Sequence, residues 1–141
     1  MPRRCLAAAL VLAAIVPLAG RAAAQESGYP AVPLLSTGVT VVGETLRYAT
    51  TGPARVTASI VTVAPGSRTI VHKHGVPMFA YVLGGELTVD YGDHGRRTYR
   101  QGQALMEAMD IAHFGVNNGA EPVRILVVYM GAEGAENVIP Q

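Results

Sequence analysis

Two histidines separated by a single residue, His72 and His74, stand in the stretch TIVHKHGVPMF, immediately before an apolar run. In a β-strand, residues i and i+2 project from the same face and lie about 6.6 Å apart along the strand. Two imidazoles on an inward face are costly to bury unless their nitrogens are satisfied, and one shared divalent cation satisfies both. The pair therefore indicates either half of a metal site or an exposed polar strand end, and the pair alone does not decide between them.

The elements that must position these histidines are short β-type runs separated by turn residues. Turn signals recur about every 8 to 12 residues, and outside the first 24 residues no helical period stands out, a pattern typical of an all-β sandwich or barrel. One run rich in helix formers, 103–109, is assigned to a strand from its context. The predicted strands cover residues 39–50, 55–64, 69–74, 78–83, 86–91, 96–100, 103–109, 112–116 and 122–130.

The first 24 residues differ from the rest of the chain. Arg3 and Arg4 precede an apolar run over 6–19, and small residues stand before Gln25. The apolar run is shorter than the roughly 20 residues that cross a bilayer, so residues 1–24 are predicted to be a secretory signal peptide. We therefore expect the protein to be exported to the periplasm or the extracellular space, with no stable membrane insertion after cleavage.

Composition narrows the chemistry of the remaining chain. Cleavage removes Cys5, the only cysteine, so neither disulfides nor a thiolate ligand nor a thiol nucleophile is available. The mature chain keeps eight basic and ten acidic residues, a net charge of −2. Its one small basic cluster, over 96–100, has three arginines and a single aromatic residue, which is too small for a nucleic-acid patch, and we expect no nucleic-acid partner. The length fits one domain.

Two spaced motifs in this chain resemble those of the cupin family. The first family motif has the form G-x5-H-x-H-x3-E-x6-G and the second G-x5-P-x-G-x2-H-x3-N. The strand pattern extends the resemblance from about residue 39 to residue 130. Met78 replaces the glutamate of the first motif, while Ala108 and Asp110 replace the proline and glycine of the second. The positions that match are Gly66, His72, His74, Gly85, Gly102, His113 and Asn117.

The resemblance implies a double-stranded β-helix of the cupin or jelly-roll type, a barrel with a metal near its mouth. We expect this barrel over 39–131, an extended arm over 25–38 before it, and an ordered-to-frayed tail over 132–141. The Pro-rich arm is suited to cover an edge strand of a neighbouring barrel, so we expect a homodimer.

By the same resemblance, His72, His74 and His113 are the expected metal ligands. Three imidazoles suit several divalent transition metals, among them iron, zinc, copper, nickel, manganese and cobalt. Fe(II) is favoured, because three-histidine cupins with Fe(II) are known as oxygenases of small anionic substrates. Met78 is either apolar filling or a thioether ligand of the kind that copper accepts.

The missing glutamate bears on the substrate and on the reaction. Three neutral imidazoles do not compensate the charge of a divalent ion, which favours a small anionic organic ligand in the open positions. The leading hypothesis is an exported metal-binding cupin that acts on such a molecule, as an Fe(II)-dependent dioxygenase. The alternatives are a non-catalytic cupin that binds a small ligand or a metal, and a metal-dependent isomerase or lyase that uses Glu107 as its base.

Glu107 is the acidic residue with the strongest claim to a role, since it stands six residues before His113 at the start of the second-motif turn. We predict it as the catalytic residue, whether as general base, as fourth ligand or as an acceptor that fixes a histidine tautomer. The alternative is a solvated carboxylate at a strand end. Asp110 and Asn117 are typical turn residues, and His94, in YGDHGRR, is expected to be exposed on a hairpin.

Overall fold

The computed structural model describes Gly28, residues 30–49 and residues 51–141. The predicted signal peptide over 1–24 lies outside the described residues, as do positions 25–27 and 29 of the predicted arm. The chain divides into a first unit, Met1–Ala31, of which only three residues are described, and a compact unit, Val32–Gln141. No helix among the described residues has the length and apolar character needed to cross a membrane.

The described part of the chain is almost entirely β, as predicted, with one short 3-10 turn at Gly92–His94. Its strands are β1 Ala54–Val63, β2 His72–Lys73, β3 Met78–Gly84, β4 Glu86–Asp90, β5 Arg96–Arg100, β6 Ala104–Met106, β7 Phe114–Val116, β8 Val123–Ala132 and β9 Ile139–Pro140.

The strands form three antiparallel sheets. A four-stranded sheet has the order β1-β8-β3-β6, a three-stranded sheet has the order β5-β4-β7, and β2 pairs with β9. Strand β3 shows why one face of the larger sheet is buried: its residues alternate between buried and half-buried, as the two-residue period of a strand requires. The inward residues of β3, β4 and β8, with residues of the neighbouring strands and loops, build one apolar core, whose most buried members are Val82, Val89, Tyr91, Ala108 and Val123.

The predicted strand over 39–50 is wrong. Only Val39 and Thr45 form an isolated bridge, around a turn in which the Gly43 N–H donates to Thr40 O at 3.0 Å. Gly43 has a φ of 91°, a left-handed conformation that glycine adopts at low cost and that interrupts a strand. The predicted strands 69–74 and 103–109 are shorter in the structure, where only His72–Lys73 and Ala104–Met106 pair regularly.

Two glycines matched by the family motifs, Gly85 and Gly102, both adopt positive φ, at 79° and 87°. A Cβ on Gly85 would lie 3.0 Å from Pro122 O and from Val123 Cα, whereas a Cβ on Gly102 would meet nothing within 4 Å. Gly85 is therefore needed both for its left-handed backbone conformation and for the close approach of the main chain at Pro122 and Val123. Gly102 is needed for its left-handed conformation alone.

We predict that Gly102→Ala lowers the free energy of unfolding by about 1 to 2 kcal/mol, the cost of a left-handed alanine. Gly85→Ala is expected to lose roughly 1 to 3 kcal/mol more, because the added methyl group also overpacks the main chain of β8. Urea unfolding of both variants measures the difference. Equal losses would contradict the role given to the contact with Val123.

Candidate metal centre

The structure brings together His72, His74 and His113, whose candidate ligand atoms all lie within 4.8 Å of one another. The ring centroids are 4.9 Å apart for His72 and His74, 4.6 Å for His72 and His113, and 5.1 Å for His74 and His113. The main chain sets this geometry: His72 and His113 exchange two N–H···O bonds, of 3.0 and 2.9 Å, in an isolated bridge. The backbone bridge between His72 and His113 thus places the three imidazole rings around one common point.

All three histidines use the same nitrogen for the protein. The Nδ1 atoms of His72, His74 and His113 lie 2.8, 2.9 and 2.8 Å from main-chain carbonyl oxygens. A carbonyl oxygen only accepts, so each Nδ1 carries the proton and each Nε2 keeps a free lone pair. The Nε2 atoms of His74 and His113 are buried and have no hydrogen-bond partner among the described residues. Buried orphan acceptors are rare, and a shared divalent cation satisfies them.

Burial also keeps these rings neutral. Loss of solvent lowers the pKa of His72 and His113 and lowers that of His74 to about 4, against the opposing effect of the bonds to carbonyl oxygens. A histidine with a lowered pKa stays unprotonated at neutral pH, which is the form that binds metal. The three histidines are therefore positioned, protonated at Nδ1 and free at Nε2, to bind a divalent transition metal.

Glu107 stands opposite Met78, the residue at the position of the first-motif glutamate. The β3–β6 pairing aligns Phe79 with Met106, and the next step places the Glu107 N–H 2.9 Å from Met78 O. Residues directly opposite in an antiparallel pair share a face of the sheet. Both side chains line the cavity that contains the three histidines. A carboxylate thus reaches the cavity from the facing strand, where the first motif supplies only a thioether.

The Glu107 carboxyl is held by one of its oxygens. Oε1 accepts hydrogen bonds from the Tyr91 hydroxyl at 2.6 Å and from the Ala108 N–H at 2.9 Å. The Tyr91 hydroxyl uses its only hydrogen in the bond to Glu107. The Tyr99 hydroxyl, which lies 3.2 Å from that of Tyr91, is therefore the donor in the bond between the two tyrosines. Burial raises the pKa of Glu107, and the two donated bonds oppose that rise. Among the described residues Oε2 receives no hydrogen bond, so this oxygen is free to act in the cavity.

The cavity is small, about 80 Å³, and mainly apolar. Besides the three histidines, its polar lining consists of Glu107, Thr69 and Tyr129. Burial raises the pKa of Tyr129, which is therefore a neutral hydroxyl at ordinary pH. The apolar lining is Val61, Met78, Leu87, Val89, Ile125 and Val127.

Comparison with known families identifies the fold. A sequence model of the cupin domain matches residues 59–129, which is half of the chain and contains all three histidines and Glu107. The chain belongs to the cupin family. No curated protein matches this cupin.

Three solved structures illustrate the likeness. The polyketide cyclase RemF of Streptomyces resistomycificus is 24% identical, with a TM-score of 0.53 over 61% of this chain and 60% of that one. The S161A mutant of the Bacillus subtilis oxalate decarboxylase OxdC is 24% identical, with a TM-score of 0.50 over 60% and 23%. A Lactobacillus farciminis oxalate decarboxylase in a formate complex is 23% identical, with a TM-score of 0.51 over 60% and 26%. This cupin thus spans about a quarter of each decarboxylase and three fifths of RemF, and at these identities the likeness shows the fold.

The other residues singled out in the sequence lie outside the cavity. His94 is exposed in the 3-10 turn between β4 and β5, as predicted. Asp110 stands in a bend and forms an exposed ion pair with Arg47 at 2.8 Å. Asn117 is fully buried, donates to Val63 O and Glu121 O, and accepts from the Gly119 N–H, so it holds a turn together.

Sequence reasoning missed Glu44. Its carboxylate accepts from the N–H groups of Met109 and Asp110, both at 2.8 Å, and thus fixes the loop between Glu107 and His113. Burial raises the pKa of Glu44, but these donors and the Thr40 hydroxyl outweigh that effect and lower it. The partners lie 65 and 66 residues apart in sequence, so no local pattern could have revealed them.

We predict that the purified chain binds one divalent transition metal per molecule, and that single alanine variants of His72, His74 and His113 lose it. Each substitution removes one of the convergent Nε2 atoms. His94→Ala is the matched control, because it removes an exposed imidazole far from the cavity. Mass spectrometric metal analysis after reconstitution measures the content, and equal metal in the His94 and His113 variants would contradict the site.

Proposed function

We propose that this cupin is a metal-dependent enzyme that binds a small anionic organic substrate at the three histidines and uses Glu107 to move a proton. The observation that carries the proposal is the convergence of three free Nε2 atoms and one buried carboxylate on a single small cavity. A purely structural role would leave the buried Nε2 atoms of His74 and His113 without partners, which folded proteins rarely tolerate.

Three imidazoles leave coordination positions open for a substrate. A divalent ion held by His72, His74 and His113 would polarise the oxygen donors of a chelating substrate and, as Fe(II), would also supply the electron transfer that oxygenation requires. The apolar walls of the cavity exclude water, and they limit the part of the substrate that enters to a few heavy atoms.

The charge inside the cavity favours an anionic substrate, but the uncompensated positive charge is smaller than the three histidines alone would leave. An ionised Glu107 compensates part of the charge of a divalent ion, and three neutral imidazoles compensate none. One positive charge is left over, which matches a monoanion or a chelating enolate better than a dianion. Among small chelators, 2-oxo acids, hydroxy acids and β-diketones have this character.

Glu107 is suited to be the general base. Its Oε1 is fixed by Tyr91 and Ala108, so the orientation of the carboxylate is set before a substrate arrives. Its pKa is raised by burial, which brings the carboxyl closer to the operating pH and makes proton transfer in either direction easier. A C–H or O–H group acidified by chelation would lose its proton to Oε2, the oxygen without a donor. This step is shared by isomerase, lyase and oxygenase chemistry.

Oxygenation is the second candidate, and the apolar cavity wall favours it. The six apolar side chains beside the histidines provide a dry volume suited to dioxygen. Activity measured with and without oxygen separates the two candidates. An isomerase or lyase turns over equally well under anaerobic conditions, whereas a dioxygenase has no activity without oxygen. A non-catalytic cupin would bind metal and chelator and form no product under either condition.

Two further expectations stay predictions. The pattern of residues 1–24 supports export to the periplasm or the extracellular space, and the Pro-rich arm supports a homodimer. Both are proposed on the sequence.

We predict that Glu107→Gln lowers kcat on a 2-oxo acid or β-diketone substrate found by screening by about 10²- to 10⁴-fold, because the amide cannot accept the proton. Metal content should stay at one ion per chain, since the three histidines are untouched. The control is Glu133→Gln, which removes an exposed carboxylate outside the cavity. Full turnover by the Glu107 variant would rule out its role as base.

A second prediction concerns pH. Tyr91→Phe removes one of the two donors that lower the pKa of Glu107, so that pKa rises. A base must be ionised to act, and the acid limb of the kcat profile should therefore move to higher pH, because the lost charge-assisted hydrogen bond favoured the ionised carboxyl. Tyr99→Phe is the matched control, because Tyr99 reaches Glu107 only through Tyr91 and should shift the profile less. A profile unchanged by Tyr91→Phe would contradict the arrangement.

A further inference from the structure

The last residues of this chain pack against β2, the strand that contains His72 and ends just before His74. Strand β9 pairs antiparallel with β2, with Ile139 opposite Lys73 and Pro140 opposite His72. The pairing continues beyond β9, since the Gln141 N–H donates to Val71 O at 3.0 Å. Residues 137–141, here the closing segment, lie within the tail predicted over 132–141, and they form an outer edge beside the site.

The closing segment also contacts a histidine ring directly. The Nδ1–H of His74 donates to the main-chain carbonyl of Asn137 at 2.9 Å. The other two rings differ in this respect: His72 and His113 donate to the carbonyls of Ile70 and Ile111, each two residues earlier in the chain. Their orientation is therefore local, whereas that of His74 depends on a residue 63 positions away in sequence.

The approach of the closing segment is close enough to require a glycine next to His74. A Cβ on Gly75 would lie 2.4 Å from Glu136 O and 3.3 Å from the Ile139 Cδ1 atom. The backbone at Gly75 is not in the left-handed region, so conformation alone does not demand glycine there. What demands it is the crossing main chain at Glu136, whose carbonyl immediately precedes the Asn137 carbonyl that accepts from His74.

We propose that the closing segment is a positioning element for His74, and that metal binding and docking of this segment strengthen each other. The inference rests on the proposed metal site. An imidazole whose Nδ1–H has a fixed acceptor is held in one tautomer and one orientation, and partners of this kind change metal affinity by about 10- to 100-fold. Coupling between two binding events is reciprocal, so a metal on His74 Nε2 must stabilise the docked segment by the same factor.

The sharpest perturbation is Gly75→Ala, which pushes the closing segment away without removing any ligand. Gly84→Ala is the matched control, because its Cβ meets nothing within 4 Å and its φ is also outside the left-handed region. Co(II) titration of the full chain, followed by the visible absorption of the bound ion, should show about tenfold weaker binding and an altered spectrum for Gly75→Ala only. Asn137→Ala should bind as wild type does, because the main-chain carbonyl is the acceptor.

Because the coupling is reciprocal, adding metal should protect the closing segment from hydrogen exchange, an effect that a merely structural role of the segment would not produce. Hydrogen exchange of residues 136–141 should slow by about tenfold when Co(II) is added to the wild-type chain, and much less in Gly75→Ala. Exchange in the β4–β5 hairpin should be the same with and without Co(II). A chain that ends at Glu136 gives an independent check, because it should lose as much Co(II) affinity as Gly75→Ala. Thermal unfolding of both variants is the control that they are folded.

The outcomes separate this inference from the proposed function. If the wild-type chain binds no Co(II), the metal site itself is wrong and the inference falls with it. If the wild-type chain binds Co(II), and Gly75→Ala and the shortened chain bind it equally well with the same spectrum, the metal site stands and the positioning role is overturned. Metal-independent exchange of residues 136–141 in the wild-type chain would also overturn it.

Discussion

Burial of three imidazole rings side by side costs free energy unless both nitrogens of each ring find partners, and the main chain around the cavity is organised by that constraint. A carbonyl oxygen takes each Nδ1–H, which leaves three lone pairs directed at one volume. The cross-strand bridge of His72 with His113, the loop fixed by Glu44 and the pairing of β2 with β9 all serve to hold those carbonyls and rings in place. The apolar core behind them keeps the rings neutral.

The carboxylate of the site follows from the register of two strands. Met78 and Glu107 face each other across the β3–β6 edge, so an acidic side chain enters the cavity although the first motif lacks one. Its second oxygen is free while its first is held by Tyr91 and Ala108. Three imidazole nitrogens and one oriented carboxyl group are thus brought into one small volume.

Much of this could be predicted from sequence, and the limits have physical causes. The three histidines and most strands followed from spacing and from the two motifs, because these patterns are local. The turn at Gly43 was missed because Val39, Val41 and Val42 favour a strand by composition, while the positive φ of one glycine decides otherwise. Glu44, Tyr91 and the Asn137 carbonyl were missed because each acts on residues distant in sequence, and no propensity contains information on such contacts.

The origin of the His74 acceptor has a consequence for how much of the chain the three rings depend on. His72 and His113 find their carbonyl acceptors two residues earlier in the chain, so these two rings are oriented by their immediate neighbours. The third ring is set only when a main chain 63 residues further on has docked. Orientation of all three rings therefore requires main chain from both ends of the compact unit, and a chain that stopped before residue 137 would keep the carbonyl acceptors of only two of them.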